Sequence, residues 1–270
     1  MRIFLEHTQY WLYKFLASRN YRKFIWYSIR YGSKKRFVAR TFSFQGLTIF
    51  APDTLSFIWQ YKEIFVDESY KFLTDSANPI IYDCGANIGM SCTYFAQYYP
   101  TSKIIAFEAD PNIVKILKEN LSRNSIKNIS VIDKAVWINN DGILLSLEGS
   151  DGASIYSGNN QVNVPSIRLK DMLESEKQID MLKMDIEGTE LEVLKDCSNS
   201  LYNVKNIFIE YHSYASNKQN LSDILNILEM NNFRYFIKTV NDREAPLINR
   251  KNKFNPDMDL QLNIYGYKIN

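Results

Sequence analysis

Five acidic residues stand where apolar stretches of the sequence end, and their carboxylates could bind polar ligands. They are Asp83, Glu108, Asp133, Asp185 and Glu210. Each follows a run rich in Ile, Val, Met or Phe, which is the pattern of a buried strand. If these strands are parallel in one sheet, the carboxylates share an edge and repel one another unless they bind hydroxyl groups, ammonium groups or a cation. One such acid is often only a helix cap, but five together favour a binding site.

The strand that ends at Asp83 leads into the loop Gly85-Ala86-Asn87-Ile88-Gly89 and then into a helical pattern. Glycines let the backbone approach a ligand closely, and amide groups without partners gather where a helix starts. Glu108 follows Gly89 by 19 residues, at the end of the next predicted strand. An acid at that distance is placed to bind a ribose diol, so the ligand is predicted to resemble a nucleotide. The spacing G-x-x-x-G differs from the G-x-G-x-x-G of dinucleotide folds, which argues against NAD.

Strand-like and helix-like segments alternate along the chain, which predicts a mostly parallel sheet with right-handed crossovers. Strands are predicted at residues 80–83, 103–107, 129–133, 161–167, 179–185, 206–210, 233–238 and 262–268. Before them, residues 37–50 predict one or two strands that turn at Gly46, and residues 53–75 predict a helical segment. Residues 136–147 enclose the turn sequence Asn-Asn-Asp-Gly and predict a hairpin.

The composition fits one large domain with an extension, or at most two domains. Of the 270 residues, 46% are hydrophobic, which is enough for a full core and argues against disorder. Three cysteines without a C-x-x-C motif indicate neither a disulfide framework nor a zinc cluster, so a reducing cytoplasm is the expected compartment. Glu6, Lys14 and Arg19 interrupt what would be the apolar part of a signal peptide, and no uncharged apolar run could span a bilayer.

Charge is distributed unevenly along the chain. Residues 1–40 hold ten basic residues and one acid, whereas the remainder carries 22 basic and 29 acidic residues. We therefore divide the chain into a basic, aromatic-rich helical extension, residues 1–40, and a domain formed by residues 41–270. Residues 1–31 could lie on the anionic inner face of a membrane, or pack against their own domain or a second subunit. Helical spacing of apolar residues slightly favours packing, and the short basic cluster has no accompanying nucleic-acid motif.

Five stretches of the sequence together carry a resemblance to a known protein family. They are Tyr82–Gly89, Ala106–Pro111, Asp133–Val136, Asp180–Gly188 and Ile209–His212. With a D-x-G-A-N-x-G pattern from Asp83 and a K-x-D-x-E-G pattern from Lys183, the chain resembles the FkbM family of S-adenosylmethionine-dependent methyltransferases over roughly residues 41–240. The resemblance implies a class I, Rossmann-like α/β fold: a mostly parallel, seven-stranded sheet with helices on both faces and an antiparallel last hairpin.

The same resemblance implies methyl transfer to a hydroxyl group, often on a sugar of a glycan or glycolipid. An acceptor that is a lipid or a secondary metabolite is an alternative within the same reaction. A protein that keeps the fold and binds the cofactor without catalysis is the alternative from another class, although the retained Asp83, Glu108 and Asp185 argue against it.

Roles for the donor-binding residues also follow from the resemblance. The residues are Asp83, Gly85, Ala86, Asn87, Gly89, Glu108, Asp133, Ala135 and Asp185. The glycine loop would wrap the methionine part of S-adenosylmethionine, with Asp83 directed towards its ammonium group. Glu108 would bind the ribose hydroxyls. Asp133 would accept a hydrogen bond from the adenine amine, and Ala135 would leave room for the ring.

Methyl transfer to a hydroxyl needs removal of its proton, and the candidates for the general base are Asp185, Glu187, Glu210 and His212, with Lys183 as a further candidate catalytic residue. Histidine ordinarily titrates near neutrality, which makes His212 a candidate for this base. Lys183 and Asp185 share a sheet face, so Lys183 could contact that acid or the acceptor, or form a purely structural ion pair. The acceptor is expected at the rim between Asp185 and His212, with residues 150–154 as a wall or lid. Asp185, Glu210 and His212 could also ligate a divalent metal, but the pattern is not clear and no metal is predicted.

Overall fold

A computed structural model of the chain describes residues 12–33, 35–147, 153–154, 161–240, 243–250, 252 and 257–269. Residues 1–11 of the predicted amino-terminal helix and residues 150–152 of the predicted wall or lid lie outside the described residues. Within the described ranges, no helix combines the length and the apolar character that crossing a membrane requires.

Strands and helices alternate through the described chain. The strands are β1 Arg40–Phe44, β2 Leu47–Ala51, β3 Ile80–Cys84, β4 Lys103–Phe107, β5 Ile129–Ile132, β6 Ala135–Trp137, β7 Ile143–Leu147, β8 Ala153–Ser154, β9 Gln161–Val164, β10 Ser166–Arg168, β11 Ile179–Met184, β12 Val204–Tyr214, β13 Arg234–Thr239 and β14 Met258–Tyr267. The helices are α1 Arg19–Tyr31, α2 Thr54–Tyr61, the π-helix Lys62–Val66 that continues α2, α3 Met90–Tyr98, α4 Pro111–Arg123, α5 Leu169–Ser175, α6 Glu190–Cys197, a 3₁₀ turn Leu201–Asn203 and α7 Leu221–Met230.

Seven of the described strands form the main sheet, in the order β13-β14-β12-β11-β3-β4-β5. The five strands from β12 to β5 are parallel to one another. β14 lies between β12 and β13 and is antiparallel to both. The predicted mostly parallel sheet with an antiparallel last hairpin is therefore confirmed. The carboxyl ends of β3, β4, β11 and β12 meet at one rim, which is where an open α/β sheet binds ligands.

Successive side chains of the central strands point to opposite faces of the sheet, and both faces are buried. Tyr82 on β3 and Leu182 on β11 belong to a core that also contains residues of α5, α6 and α7. Ile81 and Met181, one position earlier, face a second core built from α1, α2, the π-helix and α3. On this second face the side chains change from apolar to charged towards the rim, because Asp83 and Lys183 follow Ile81 and Met181 by two residues.

Local sequence signals explain where the helices begin. Asp110 caps α4 by accepting a hydrogen bond from the amide of Asn112 (2.8 Å), and Pro111 occupies the first helical position. Asp53 caps α2 in the same way through the amide of Leu55 (3.1 Å). Ser18 caps α1 through the amide of Tyr21 (3.1 Å). These capping residues fix the entry of each helix and therefore the loops that precede them.

Two predictions of secondary structure were wrong in detail. Residues 136–147 do not form a hairpin: β6 pairs in parallel with β10, and β7 pairs antiparallel with β8 and β9. The turn lies between β6 and β7. In it the amide of Gly142 donates a hydrogen bond to Ser166 Oγ (2.9 Å), which ties the turn to β10. The helical segment predicted at residues 53–75 ends at Val66.

Candidate active site

A cavity of about 890 Å³ opens at the carboxyl rim of the main sheet. The Gly85 loop and Glu108 line one part of it, whereas Glu210 and His212 on β12 line another. The π-helix contributes Glu63 to the wall. One cavity therefore contains both the region expected to hold a methyl donor and the region expected to hold an acceptor.

Close backbone contacts fix the Gly85 loop against the neighbouring strands. The amides of Gly85 and Ala86 both donate to the carbonyl oxygen of Phe107, at 3.0 and 2.9 Å. Gly85 has a φ of 83°, and a Cβ there would collide with the backbone carbonyl of Asp185. A residue other than glycine would therefore separate β3 from β11 at the point where both meet the cavity.

Glu108 is held in the cavity wall by backbone amides. Its Oε1 accepts hydrogen bonds from Ala109 (2.8 Å) and Asp110 (2.9 Å), and its Oε2 accepts one from Asn87 (2.8 Å). Burial raises the pKa of Glu108, and the backbone amides oppose that rise. Since a carboxylate offers about four acceptor sites, about one stays available for a ligand hydroxyl. The same contacts couple Glu108 to the loop through Asn87.

Lys183 lies buried between two carboxylates. Its Nζ is 3.3 Å from Oδ1 of Asp83 and 3.5 Å from Oδ2 of Asp185, and it also donates a hydrogen bond to the carbonyl of Gly85 (2.6 Å). Burial acts to lower the pKa of Lys183, but Asp83 and Asp185 outweigh it and raise that pKa, so the ammonium stays charged. Lys183 thus connects the end of β11 to the Gly85 loop.

His212 is buried among three carboxylates. Its Nδ1 lies 3.2 Å from Oε1 of Glu190, whereas its Nε2 lies 3.6 Å from Oε2 of Glu187 and 3.8 Å from Oε1 of Glu210. Burial acts to lower the pKa of His212, but Glu187, Glu190 and Glu210 outweigh it and hold that pKa well above its ordinary value. Burial, together with Asp185 and Glu63, raises the pKa of Glu210, which also accepts a hydrogen bond from Gln261.

The structure brings most of the residues predicted from the sequence into this cavity. The lining includes Gly85, Ala86, Asn87, Glu108, Ala135, Lys183, Asp185, Glu187, Glu210 and His212. Among the described residues, three predicted ones are not part of the lining. Asp83 is fully buried and accepts a hydrogen bond from Ser91 Oγ (2.5 Å), Gly89 packs against α4, and Asp133 is exposed and paired with Lys118 (2.6 Å).

Several polar residues of the site carry no sequence signal of their own. Glu63 accepts a hydrogen bond from Nδ2 of Asn263 (2.6 Å), although 200 residues separate them. Burial and the nearby Asp185 raise the pKa of Glu63. Tyr70 is 3% exposed and lines the cavity with its ring 5.9 Å from the ammonium of Lys183. Asn263 on β14 lies directly opposite Glu210 on β12. Its place in the site therefore follows from the register of these two strands.

A divalent metal could be held at one place in the described part of the site. Asp185, Glu187 and His212 each offer a ligand atom, and these atoms lie within 4.8 Å of one another. Oxygen and imidazole ligands of this kind suit Mg²⁺, Mn²⁺ or Zn²⁺. Glu210, which the sequence grouped with Asp185 and His212, is not in that set of atoms.

Several known proteins that are similar to this chain are methyltransferases. The sequence profile of the Methyltransferase FkbM domain matches residues 83–235, which is more than half of the chain. Methyltransferase sdnD of Sordaria araneosa is 29% identical over 188 residues, 56% of this chain and 73% of that protein. Hexuronic acid methyltransferase AglP of Haloferax volcanii is 25% identical over 211 residues, 75% of this chain and 84% of that protein. 2-O-methyltransferase NoeI of Sinorhizobium fredii is 26% identical over 161 residues, 52% of this chain and 65% of that protein.

A solved structure shares the fold. The crystal structure of Methyltransferase FkbM from Methylobacillus flagellatus matches with a TM-score of 0.50 and 17% sequence identity, over 79% of this chain and 54% of that one. This chain therefore spans about half the length of that protein, and the likeness concerns the fold alone.

Proposed function

Because this chain belongs to the FkbM family of S-adenosylmethionine-dependent methyltransferases, we propose that it transfers a methyl group to a hydroxyl of a sugar in a glycan or glycolipid. The observation that carries the proposal is one cavity that joins the Gly85 loop and Glu108 to Asp185 and His212. One relative is named for a hexuronic acid, which supports a sugar as the acceptor. Another is named for 2-O-methylation, which supports an oxygen as the methylated atom.

The residues of the cavity fit the methyl donor. Glu108 retains acceptor capacity at the end of β4 and would bind a ribose hydroxyl. Gly85, Ala86 and Asn87 present backbone beside it, and Asp185 lies across the loop from Glu108 in the same cavity. Bound there, S-adenosylmethionine would supply an electrophilic methyl group on a sulfonium sulfur that leaves with the electron pair of the broken bond.

On this proposal Asp83 supports donor binding without contacting the donor. Its carboxylate meets Lys183 and Ser91 and is not exposed to the cavity in the described structure. Lys183 donates to the carbonyl of Gly85, so Asp83 would stabilise the loop through Lys183. Asp133 would stabilise the α4 side of the rim through Lys118 rather than bind adenine directly.

The acceptor would lie against Asp185, Glu187, Glu210 and His212. These side chains offer hydrogen-bond acceptors to several hydroxyl groups at once, which suits a polyol such as a sugar. Nε2 of His212, once neutral, would take the proton of the reacting hydroxyl, and Asp185 would orient that hydroxyl. A general base of this kind accelerates transfer by about 10²–10⁴-fold.

Helix α1, in the proposed extension of residues 1–40, has one face against the rest of the chain and another face that could contact a membrane. The domain would comprise residues 41–270, and α1 packs on it through Tyr21 and Tyr27. On its outer side α1 exposes Ile29, which is 80% exposed, near Arg22 and Arg30. We propose a cytoplasmic location at the inner face of a membrane, tested by co-sedimentation with vesicles of phosphatidylserine and phosphatidylcholine. Binding should require the anionic lipid and fall with salt; no sedimentation would remove this proposal.

Two measurements test the enzymatic proposal. Calorimetry with S-adenosylmethionine, and with NAD as the comparison, should show binding of the first alone. Mass spectrometry should then detect a methyl ether on neutral, amino or uronic sugars, with hydroxyl-bearing lipids and secondary metabolites tested in parallel. Donor binding without transfer to any hydroxyl would favour a cofactor-binding scaffold. Transfer confined to a lipid or a secondary metabolite would overturn the sugar assignment but not the reaction.

A further inference from the structure

Trp59 is an exposed tryptophan in the wall of the cavity. It lies on α2, whose other face is buried in the second core. Phe57 and Tyr61 stack on each other in that core, with ring centroids 6.0 Å apart. Trp59, in contrast, is 61% exposed and lines the cavity. An aromatic side chain left exposed in the wall of a cavity is typical of a binding surface.

Helical geometry connects Trp59 to the rim of the sheet. Glu63 follows Trp59 by four residues, in the π-helix that continues α2. The two side chains therefore lie on one face, offset by about 6 Å along the helix axis. Both line the cavity, and Glu63 is close enough to Asp185 for that acid to raise its pKa. A ligand bound at the rim would reach Trp59 by extending one helical turn along this face.

An unpartnered acceptor marks the inner end of the same face. Nδ2 of Asn263 donates a hydrogen bond to Oε1 of Glu63 (2.6 Å), which fixes the orientation of the amide. Oδ1 of Asn263 has no hydrogen-bond partner among the described residues, although Asn263 is only 5% exposed. A buried acceptor without a partner, in a residue that lines the cavity, indicates a place for a ligand hydroxyl.

The outer end of the face is aromatic rather than charged. Two basic residues line the cavity on this side, and each forms an ion pair with an acid of the chain. Arg36 pairs with Asp53, and Lys62 pairs with Asp67 (2.6 Å). Since both charges are balanced within the chain, the ring of Trp59 is the main feature that this end offers to a ligand.

We propose that Trp59 stacks on the sugar unit next to the one that is methylated, so that the acceptor is a sugar chain rather than a single sugar. The inference rests on the proposed function and deepens it. A sugar ring has an apolar face of C–H groups that packs on an aromatic ring, with hydroxyls at its edge. Ser28 and Gln60 also line the cavity and would bind such hydroxyls, whereas an alkyl chain would bury them without partners.

The dependence of transfer on acceptor length tests this inference. The probes are methyl glycosides of neutral, amino and uronic sugars, each compared with a disaccharide of the same sugar. The unsubstituted protein should have the higher kcat/KM with the disaccharide. In Trp59→Ala the ratio of the two values should fall about tenfold, which is the effect of losing one aromatic stacking contact.

Two further variants sharpen the comparison. Trp59→Phe keeps an aromatic ring and should retain much of the preference for the disaccharide. Trp26→Ala is the matched control, because Trp26 is 52% exposed on α1 and does not belong to the described lining of this cavity. It should leave the ratio unchanged. Calorimetry should show that Trp59→Ala binds S-adenosylmethionine as the unsubstituted protein does.

Four results would overturn the inference. The ratio could be the same in Trp59→Ala and Trp26→Ala, or the unsubstituted protein could methylate both acceptor lengths equally well. Weaker donor binding by folded Trp59→Ala would assign Trp59 to the donor instead. A preference for an octyl glycoside over the disaccharide that is lost in Trp59→Ala would replace the second sugar by an alkyl chain. In all four cases sugars are still methylated, whereas failure of the proposed function would leave every sugar unmethylated and remove the inference with it.

Discussion

Lys183 and Asp83 form an ion pair at the carboxyl end of two adjacent parallel strands, with 3.3 Å between Nζ and Oδ1 and almost no exposure of either side chain. The pair lies on the sheet face of the second core, directly under the Gly85 loop. Two charges removed from water in this way are stable only while each retains its partner. The ion pair therefore couples the folding of the sheet to the shape of the cavity.

Breaking this pair should be costly for stability. Lys183→Met removes the only described cation beside Asp83 and should lower the free energy of unfolding by about 3–5 kcal/mol, as measured by urea denaturation. The double variant Lys183→Met with Asp83→Asn should recover part of that loss, because no charge is left buried. A Lys183→Met protein with unchanged stability but no turnover would instead make Lys183 a residue that contacts the acceptor.

Removing Glu108 should weaken binding of the methyl donor. Glu108→Ala deletes an acceptor for a ligand hydroxyl and the contact that holds the amide of Asn87, so the free energy of donor binding should fall by about 1–3 kcal/mol in calorimetry. Glu119→Ala, on the exposed side of α4, is the control. Unchanged donor affinity in folded Glu108→Ala would remove the ribose-binding assignment.

Much of this arrangement could be predicted from the sequence, because strand-end acids and a period of two locate side chains on a parallel sheet. The prediction that Lys183 and Asp185 share a face used only the period of two along a strand. The surroundings of Asp83 could not be predicted in this way, because Ser91 on α3 donates a hydrogen bond to its carboxylate. The periodicity of a strand does not indicate which residue of a following helix will contact it.

Other contacts depend on register between distant elements. Glu63 and Asn263 meet only because β14 inserts beside β12 and the π-helix lies over that edge. Glu190 has the sequence pattern of an ordinary acid in the first turn of a helix, and its contact with His212 becomes visible only once β12 is placed. The hairpin predicted at residues 136–147 failed for the same reason, since its turn sequence does not specify which strands pair.

The crowded carboxylates should make stability depend on pH. Burial and Asp185 raise the pKa of both Glu63 and Glu210, so the folded state binds more protons than the unfolded state above the ordinary glutamate pKa. The free energy of unfolding should therefore fall as the pH rises from that value through the raised ones. Glu63→Gln keeps an acceptor for Asn263 and should be more stable than the unsubstituted protein at neutral pH. Urea denaturation at a series of pH values measures this, and the opposite slope would contradict it.

Helix α1 should contribute to stability through one face. Tyr27 is 3% exposed, and its ring packs against Phe42, Phe57 and Tyr61 at centroid distances of 5.2, 5.7 and 5.5 Å. Tyr27→Ala should lower the free energy of unfolding by about 3–5 kcal/mol, the range for removing a large buried ring. Ile29→Ala, at a position 80% exposed on the same helix, should change it by less than about 0.5 kcal/mol. Equal effects of the two variants would show that α1 does not pack in this orientation.

Substitution of Asp185 and His212 should impair the chemical step more than donor binding. Asp185→Asn removes a charge at the acceptor side of the cavity, and His212→Gln removes the proposed base while its amide can still donate to Glu190. Loss of a general base should reduce the single-turnover rate by about 10²–10⁴-fold, with calorimetric affinity for S-adenosylmethionine close to that of the unsubstituted protein. A loss confined to turnover is expected when a group stabilises only the transition state. If the two residues merely shape the ends of β11 and β12, donor affinity and stability should fall together. Full turnover in both variants would end the assignment of the proton transfer to this rim.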